Sequence, residues 1–140
     1  RSSSRPGNTV KLDFFLINRA IFFVDLPGYG YARRSKESLE HDRKLIAWYL
    51  FRSGVVHKLI VLIIDAKIGI TDYDRESINL LIDHHLPFVV AANKVDKLKA
   101  NERRAQLAAI QNELGEIPMI VYSSVTGEGK GVLMNLILKK

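Results

Sequence analysis

Short, almost continuous apolar runs alternate along the chain with longer segments in which apolar residues recur at helical spacing. The apolar runs predict strands at residues 10–17, 20–25, 58–65, 87–94 and 118–124. The helical spacing predicts helices at residues 35–53, 71–85, 100–114 and 129–140. Asn18 and Arg19 join the first two strands and predict a hairpin. The alternation that follows predicts an α/β fold with a mostly parallel sheet.

The same pattern predicts which residues are buried. Near-continuous apolar runs are typical of strands covered on both faces. The runs concerned are residues 21–24, 58–65 and 87–94. The first helix is predicted to begin at a Ser35 cap and to pack one apolar face. That face holds Leu39, Ile46, Tyr49 and Leu50, with Trp48 and Phe51 in the same packing. The second helix is predicted to begin at Thr71 and to pack through Ile78, Leu81 and Ile82.

Composition adds limits to this picture. The chain has 140 residues and no cysteine, which predicts one domain without disulfides and favours the cytoplasm. No apolar run reaches the roughly 18 residues that a membrane helix needs. The net charge of +6 is compatible with an anionic partner such as RNA or a nucleotide. A solvated surface of mixed charge explains the same number equally well.

Polar residues follow several of the predicted strands, at the edge where α/β sheets bind ligands. Those residues are Asp25, Asp65 and Asn93. Asp25 opens the sequence "DLPG". A carboxylate at that point can hold Mg²⁺ through water, and the N–H of Gly28 can approach a phosphate without a Cβ in the way. By itself, this four-residue pattern is common in loops.

The sequence "NKVD", which begins at Asn93, the third of these strand ends, is more specific. The Asp96 carboxylate can accept hydrogen bonds from N1 and the 2-amino group of guanine, a pattern that adenine does not offer. A buried acceptor there would reject the wrong base because the carboxylate would stay unpaired. Lys94 is expected to cover the base with its aliphatic stem, and Asn93 to tie loops together. A polar turn after a strand is the alternative interpretation.

Two further segments fit a nucleotide site. In "YSSVTGEGKG", Ser123 and Ser124 fall where a backbone N–H can meet guanine O6. Tested as a phosphate loop, the segment fails at both ends of the G-x-x-x-x-G-K-[ST] pattern. Upstream, "PGNT" places Thr9 in a basic loop, where its hydroxyl can complete a Mg²⁺ shell when a γ-phosphate is present.

Taken together, "PGNT", "DLPGYGYA", "NKVD" and "SSVTGEG" resemble the EngB (YihA/YsxC) family of bacterial GTP-binding proteins, over nearly the whole chain. The resemblance implies a Ras-like P-loop GTPase fold with helices on both faces of the sheet. It implies GTP binding and slow hydrolysis with Mg²⁺, in a cytoplasmic monomer. It also implies a role in assembly of the large ribosomal subunit, contact with its precursor rRNA and protein, and a part in cell division and septation.

The same resemblance assigns residues. The GTP-binding set would be Gly7, Asn8, Thr9, Val10, Lys11, Asp25, Leu26, Pro27, Gly28, Asn93, Lys94, Val95, Asp96, Tyr122, Ser123 and Ser124. Thr9 would bind Mg²⁺ directly, and Asp25 would bind it through water. Tyr29 stands where Ras-like enzymes carry a water-orienting Gln, so no catalytic base is assigned.

The chain departs from that family at its start, because it contains no Walker A loop. The first strand, the P-loop and the first helix of the family would precede residue 1, so residues 1–140 are expected to be an N-terminally incomplete GTPase domain. On this interpretation the 140-residue chain binds GTP poorly and exposes apolar edges.

Two other functions remain open at this point. One is a basic interaction module for RNA or protein with no nucleotide cycle, which the missing Walker A loop favours. The other is a receiver-like phosphoacceptor domain, since Asp65 and Lys94 both follow strands. The receiver interpretation lacks the adjacent acidic pair that would bind Mg²⁺, and it leaves "NKVD" unexplained.

Overall fold

The computed structural model describes residues 11–28 and 35–138. The chain divides into two compact units, residues 1–55 and residues 56–140. That the whole chain forms one GTPase domain stays a prediction. Among the described residues, no helix is both long enough and apolar enough to cross a membrane.

The first unit contains the predicted hairpin. Strand β1 (Asp13–Ile17) pairs antiparallel with strand β2 (Ile21–Asp25). Asn18 and Arg19 have φ of 52° and 55°, and the N–H of Ala20 donates to the carbonyl of Ile17 at 3.0 Å. The register pairs Ile17 with Ile21, so the loop contains Ala20 as well as the predicted dipeptide. The hairpin itself is confirmed, and β2 begins one residue later than predicted.

The expected burial of residues 21–24 is wrong. Phe22 is 64% exposed, and β1 also exposes Phe14, Phe15 and Leu16 by more than half. The cause is that β1 and β2 form a two-stranded sheet of their own, and two strands cannot cover both of their faces. Phe14 makes edge-on ring contacts with Phe22 and with Tyr49, at centroid distances of 6.5 and 6.0 Å.

Helix α1 (Lys36–Phe51) completes the described part of the first unit. The Ser35 hydroxyl accepts the N–H of Ser38 at 3.2 Å, which confirms the predicted cap. Ile46 and Tyr49 are buried as predicted, but Trp48 is 52% exposed. Trp48 lies two positions after Ile46, about 200° around the helix, so it cannot share the packed face. The sequence pattern also missed Asp42, which is buried on that face.

The second unit is built on a parallel sheet in the order β3-β4-β5. Its strands are β3 (Ile60–Asp65), β4 (Phe88–Asn93) and β5 (Met119–Val121). Its helices are α2 (Asp72–Asp83), α3 (Ala100–Leu114) and α4 (Lys130–Leu138), with a 3-10 turn at Val95–Lys97. The α/β alternation is confirmed, and β5 ends earlier than predicted because a turn begins at Ser123.

The core of this unit lies between the sheet and its helices. It comprises Ile64, Ala66, Ile70, Ile78, Val90, Ala92, Val95, Ile110 and Leu114. The opposite face of β4 is buried too, as predicted for that strand, with Ala91 only 1% exposed. Ile63, the register partner of Ala91 on β3, is 64% exposed, so burial of both faces of β3 is wrong. The strand order explains the contrast, since β4 lies between two strands and β3 is an edge of the sheet in the part of the chain that the structure describes.

The predicted helix ends are largely correct. The Thr71 hydroxyl accepts the N–H of Asp74, and the Asp74 carboxylate accepts the N–H of Thr71 at 2.9 Å, forming a reciprocal cap on α2. Helix α3 has the predicted bounds and ends at Gly115, whose φ is 61°. Ile82, expected in the core, is 46% exposed because it lies beside the buried face of α2 and not on it.

Candidate nucleotide-binding site

The loops that follow β3, β4 and β5 meet at one edge of the parallel sheet. Asp65 and Asn93 are register partners at the ends of β3 and β4. The N–H of Ala66 donates to the carbonyl of Asn93 at 2.8 Å, and the N–H of Tyr122 donates to the carbonyl of Ala92 at 3.0 Å. The sheet therefore brings together the segments that contain Asp65, "NKVD" and "YSS".

Asn93 connects two of these loops through one oxygen. Its Oδ1 accepts the N–H of Lys94 at 2.7 Å and the N–H of Ser124 at 3.2 Å. Ser124 follows β5 and Lys94 follows β4, so the side chain spans the two neighbouring strands. The predicted tie between loops is present, and it fixes the distance between "NKVD" and "YSS".

Ser123 holds the Asp96 carboxylate. Its hydroxyl donates to Asp96 Oδ1 at 2.6 Å and accepts the N–H groups of Val125 and Thr126 at 3.2 and 3.1 Å. A serine hydroxyl has one donor and two acceptor positions, so all three are used. Ser123 is 0% exposed, which makes it a rigid support for Asp96.

Asp96 itself is exposed. The expectation of a buried acceptor is therefore wrong for the protein alone, because only the neighbour Val95 is buried, at 1% exposure. Val95 anchors the 3-10 turn, and its N–H donates to the carbonyl of Tyr122 at 3.4 Å. Because Val95 is buried and Ser123 binds Asp96, the Asp96 carboxylate is held in a fixed orientation at an accessible edge of the parallel sheet.

Lys94 has a constrained backbone and a paired side chain. Its φ is 66°, in the left-handed region that non-glycine residues rarely occupy. Its ammonium lies 2.8 Å from Asp65 Oδ2. Sequence reasoning noted both residues at strand ends but did not assign Asp65 to the nucleotide site. The signal for their contact was available, because the ends of adjacent parallel strands lie side by side.

The environment of Asp65 keeps its carboxyl charged. Burial raises the pKa of Asp65, but hydrogen bonds from the Lys94 ammonium and the Lys67 N–H oppose burial and, together, leave the pKa below its usual value. The Lys67 N–H lies 2.9 Å from Asp65 Oδ1. Both carboxylate oxygens are therefore bound, each by a different partner.

The loop after β5 is closed by its own backbone. The N–H of Ser123 donates to the carbonyl of Glu128, and the N–H of Gly127 donates to the carbonyl of Ser123, at 3.0 and 2.9 Å. The Glu128 carboxylate also pairs with Arg103 of α3. This loop carries Ser123 and Ser124 in a fixed conformation and leads directly into α4.

The other predicted site residues belong to the first unit. Asp25 is exposed at the end of β2 and is the register partner of Asp13, while residues 26–28 follow the strand. Lys11 is exposed before β1. Gly7, Asn8, Thr9, Val10 and Tyr29 lie outside the described residues. Within the described ranges, no group of three or more His, Cys, Asp or Glu side chains could hold a metal ion.

Comparison with known families identifies the class of protein. The family model described as "50S ribosome-binding GTPase" matches residues 1–94, and the "Elongation factor Tu GTP binding domain" model matches residues 50–140. The chain therefore belongs to the GTPase class, and the Ras-like GTPase fold is confirmed, with its parallel three-stranded sheet and separate antiparallel pair.

Individual relatives narrow the class to a family. A probable GTP-binding protein EngB from Natranaerobius thermophilus is 39% identical over 97% of this chain and 72% of its own length. A crystal structure of a probable GTP-binding protein EngB matches with a TM-score of 0.75 and 26% identity, covering 92% of this chain and 80% of that one. The chain belongs to the EngB family of GTP-binding proteins.

A third similarity concerns a protein with an RNA ligand. The crystal structure of Era in complex with MgGDPNP and a segment of 16S ribosomal RNA matches with a TM-score of 0.71 and 26% identity. The match covers 99% of this chain and 47% of that chain.

Proposed function

We propose that the full-length protein is a GTP-dependent switch that reads guanine with the loops after β4 and β5. The observation that carries this proposal is the Asp96 carboxylate, which is exposed yet held at one oxygen by a fully buried serine. In this proposal Asn93, Lys94, Val95, Asp96, Tyr122, Ser123 and Ser124 form the base-binding part of the site.

Guanine recognition follows from hydrogen-bond chemistry. Two N–H groups on the guanine edge need two acceptor positions, which one carboxylate supplies. Each hydrogen bond to a charged group contributes about 1.5–3 kcal/mol, so the wrong base is rejected when these donors are missing. The bound base would itself cover Asp96, which supplies the desolvation that the protein alone does not provide.

The phosphate and Mg²⁺ side of the proposal concerns residues 7–11 and 25–28. Asp25 is an exposed carboxylate, an oxygen ligand of the kind Mg²⁺ prefers, so it fits binding of the ion through water. Thr9 would be the second Mg²⁺ ligand, and the Gly28 N–H would meet the terminal phosphate. Mg²⁺ would neutralise phosphate charge, and the chain's own residues would position GTP for slow hydrolysis.

A role on the ribosome is the second part of the proposal. One family model matching the chain is described as a 50S ribosome-binding GTPase, and Era was crystallised with a ribosomal RNA segment. The chain's net charge of +6 suits an RNA partner. We propose that the GTP-bound protein binds the precursor of the large subunit in the cytoplasm as a monomer and thereby supports cell division and septation.

Nucleotide titration tests the guanine part. The full-length protein should bind GTP more tightly than ITP, which lacks the 2-amino group, and ITP more tightly than ATP. Asp96→Asn places an amide N–H₂ against the donors of guanine, so GTP affinity should fall about 10- to 100-fold. Calorimetry with each nucleotide and Mg²⁺ gives these constants.

Asp83→Asn is the matched control, because it makes the same charge change at the exposed end of α2. It should leave all three affinities unchanged. Equal binding of GTP and ATP by the wild-type protein would rule out the guanine-reading role of Asp96.

The ribosomal part is tested separately. Sedimentation of the full-length protein with purified large subunits should show more binding with a non-hydrolysable GTP analogue than with GDP. Equal binding in both nucleotide states would contradict the switch, while leaving guanine recognition untouched.

A further inference from the structure

We propose that Asp65 is a positioning residue of the guanine site, because its carboxylate holds the Lys94 side chain in the orientation that covers the base. This inference rests on the proposed nucleotide-binding function of the same loops. It extends the site to β3, since Asp65 was not assigned to nucleotide binding from the sequence.

The placement of Asp65 follows from strand register. Asp65 pairs with Asn93, so the residue after Asn93 starts its loop beside Asp65. The Lys94 ammonium then reaches Asp65 Oδ2 at 2.8 Å. The Asp65 side chain is 22% exposed and the Lys94 side chain 46% exposed, so this contact lies at the accessible rim of the sheet and not in the core.

Asp65 is a fixed anchor for this contact. Its Oδ1 accepts the N–H of Lys67, and its carbonyl accepts the N–H groups of Ile68 and Gly69 at 3.0 and 2.9 Å. The turn is also attached to α3, because the Gln106 amide donates to the carbonyl of Ala66 at 3.0 Å. Because Oδ1 and the turn are held independently of Lys94, the carboxylate offers Oδ2 to the lysine from a fixed position.

Lys94 is held at its backbone and at the end of its side chain. Its N–H donates to Asn93 Oδ1, and its carbonyl accepts the N–H of Lys97 at 2.9 Å. A left-handed backbone at a non-glycine residue persists where the surroundings enforce it. With both ends fixed, the four-carbon stem between them is confined, although a lysine side chain is otherwise among the most mobile.

Confinement of the stem before binding has a predictable consequence for affinity. A side chain that is ordered beforehand loses less conformational freedom when a ligand packs against it. Because the Lys94 stem contacts the face of the base and not its edge, its ordering helps guanine and hypoxanthine equally. An ion pair exposed to this extent contributes little to stability, so the effect should appear in nucleotide binding.

A double-mutant cycle in the full-length protein tests the inference. Asp65→Asn keeps the shape and the acceptor for Lys67 but removes the charge, and Lys94→Met keeps an apolar stem without the ammonium. Asp65→Asn should weaken GTP binding about three- to tenfold and ITP binding by the same factor. In the Lys94→Met background, Asp65→Asn should change either affinity by less than about twofold.

The result that overturns the inference is additivity. If Asp65→Asn weakens GTP binding equally with Lys94 and with Met at position 94, Asp65 does not act through the lysine. A change in the GTP-to-ITP ratio also overturns it, because that would place Asp65 at the base edge. Loss of the GTP preference in the wild-type protein is a different outcome, and it would refute the proposed function itself.

Two controls keep the test interpretable. Asp83→Asn makes the same charge change on α2 and should leave GTP affinity unchanged. Lys94→Met breaks the ion pair without altering the turn at Asp65, so it serves if Asp65→Asn does not fold. An unchanged GTP affinity in Lys94→Met would also overturn the inference.

Discussion

At the scale of single residues, Gly129 lies at a point in the loop after β5 where only glycine fits, because any Cβ would clash with the backbone. Its φ is 76°, and a Cβ at this position would stand 2.0 Å from the carbonyl oxygen of Val121. Gly129→Ala is expected to lower the free energy of unfolding by about 3 kcal/mol, because left-handed strain adds to a forced backbone shift. Urea unfolding followed by circular dichroism measures the change.

Gly131, two residues later inside α4, is the matched control for this prediction. Nothing lies within 4 Å of a Cβ built there, and the residue is helical. Gly131→Ala should therefore stabilise the protein, by about 0.5–1 kcal/mol from helix propensity. Equal effects of the two substitutions would show that the close approach at Gly129 is not significant.

Asp65 gives a prediction in acid. Hydrogen bonds hold its pKa below the ordinary value of 3.8, despite the opposing effect of burial. A depressed folded-state pKa stabilises the protein above the unfolded pKa, and this stability is lost as pH falls through the lower, folded value. Wild-type protein should therefore exceed Asp65→Asn in unfolding free energy at neutral pH by a small margin, since the ion pair is partly exposed, and the difference should shrink below about pH 4. A difference that stays constant into stronger acid would contradict this assignment.

At the scale of secondary-structure elements, the reciprocal cap at the start of α2 gives a separate test. The Thr71 hydroxyl also donates to Asp74 Oδ2 at 2.7 Å, which adds to the two backbone contacts of the cap. Thr71→Ala is expected to cost about 1 kcal/mol of stability, whereas Thr71→Ser should cost far less because it retains the hydroxyl. Thermal unfolding of both variants distinguishes loss of the cap from loss of a methyl group.

The secondary-structure elements also show how much of the fold can be predicted from the sequence. Local signals were reliable: the Asn18-Arg19 turn identified the hairpin, and helical spacing identified α3 over residues 100–114, because both depend on residues close together in the chain. Burial was less predictable. Ile63 and Ala91 both lie in nearly continuous apolar runs, but β3 lies at the edge of the described sheet and β4 lies between two strands. Asp65 was noted as a strand end, but its contact with Lys94 depends on which strands are neighbours.

At the scale of the whole molecule, the residues proposed to bind guanine lie in the second unit, and Asp25 lies in the first. In the second unit, Asn93 binds the N–H of Ser124, as its predicted role in tying loops together requires, once a parallel sheet is assumed. The hydrogen bond from Ser123 to Asp96 was not predicted, because it depends on how the loops after β4 and β5 pack. Asp25 lies in the first unit, so its role with Mg²⁺ stays a proposal.

The exposed edge of β3 is expected to associate with strands of other molecules. Ile63 is 64% exposed on a strand that, among residues 11–28 and 35–138, pairs with β4 on one side only, and such edges associate with other strands. The polypeptide of residues 1–140 should therefore self-associate with rising concentration, as seen by light scattering, and Ile63→Lys should suppress this. Ile82→Lys changes an exposed isoleucine on a helix, so it should have a smaller effect. Equal suppression by both variants would point to general surface hydrophobicity instead of strand pairing.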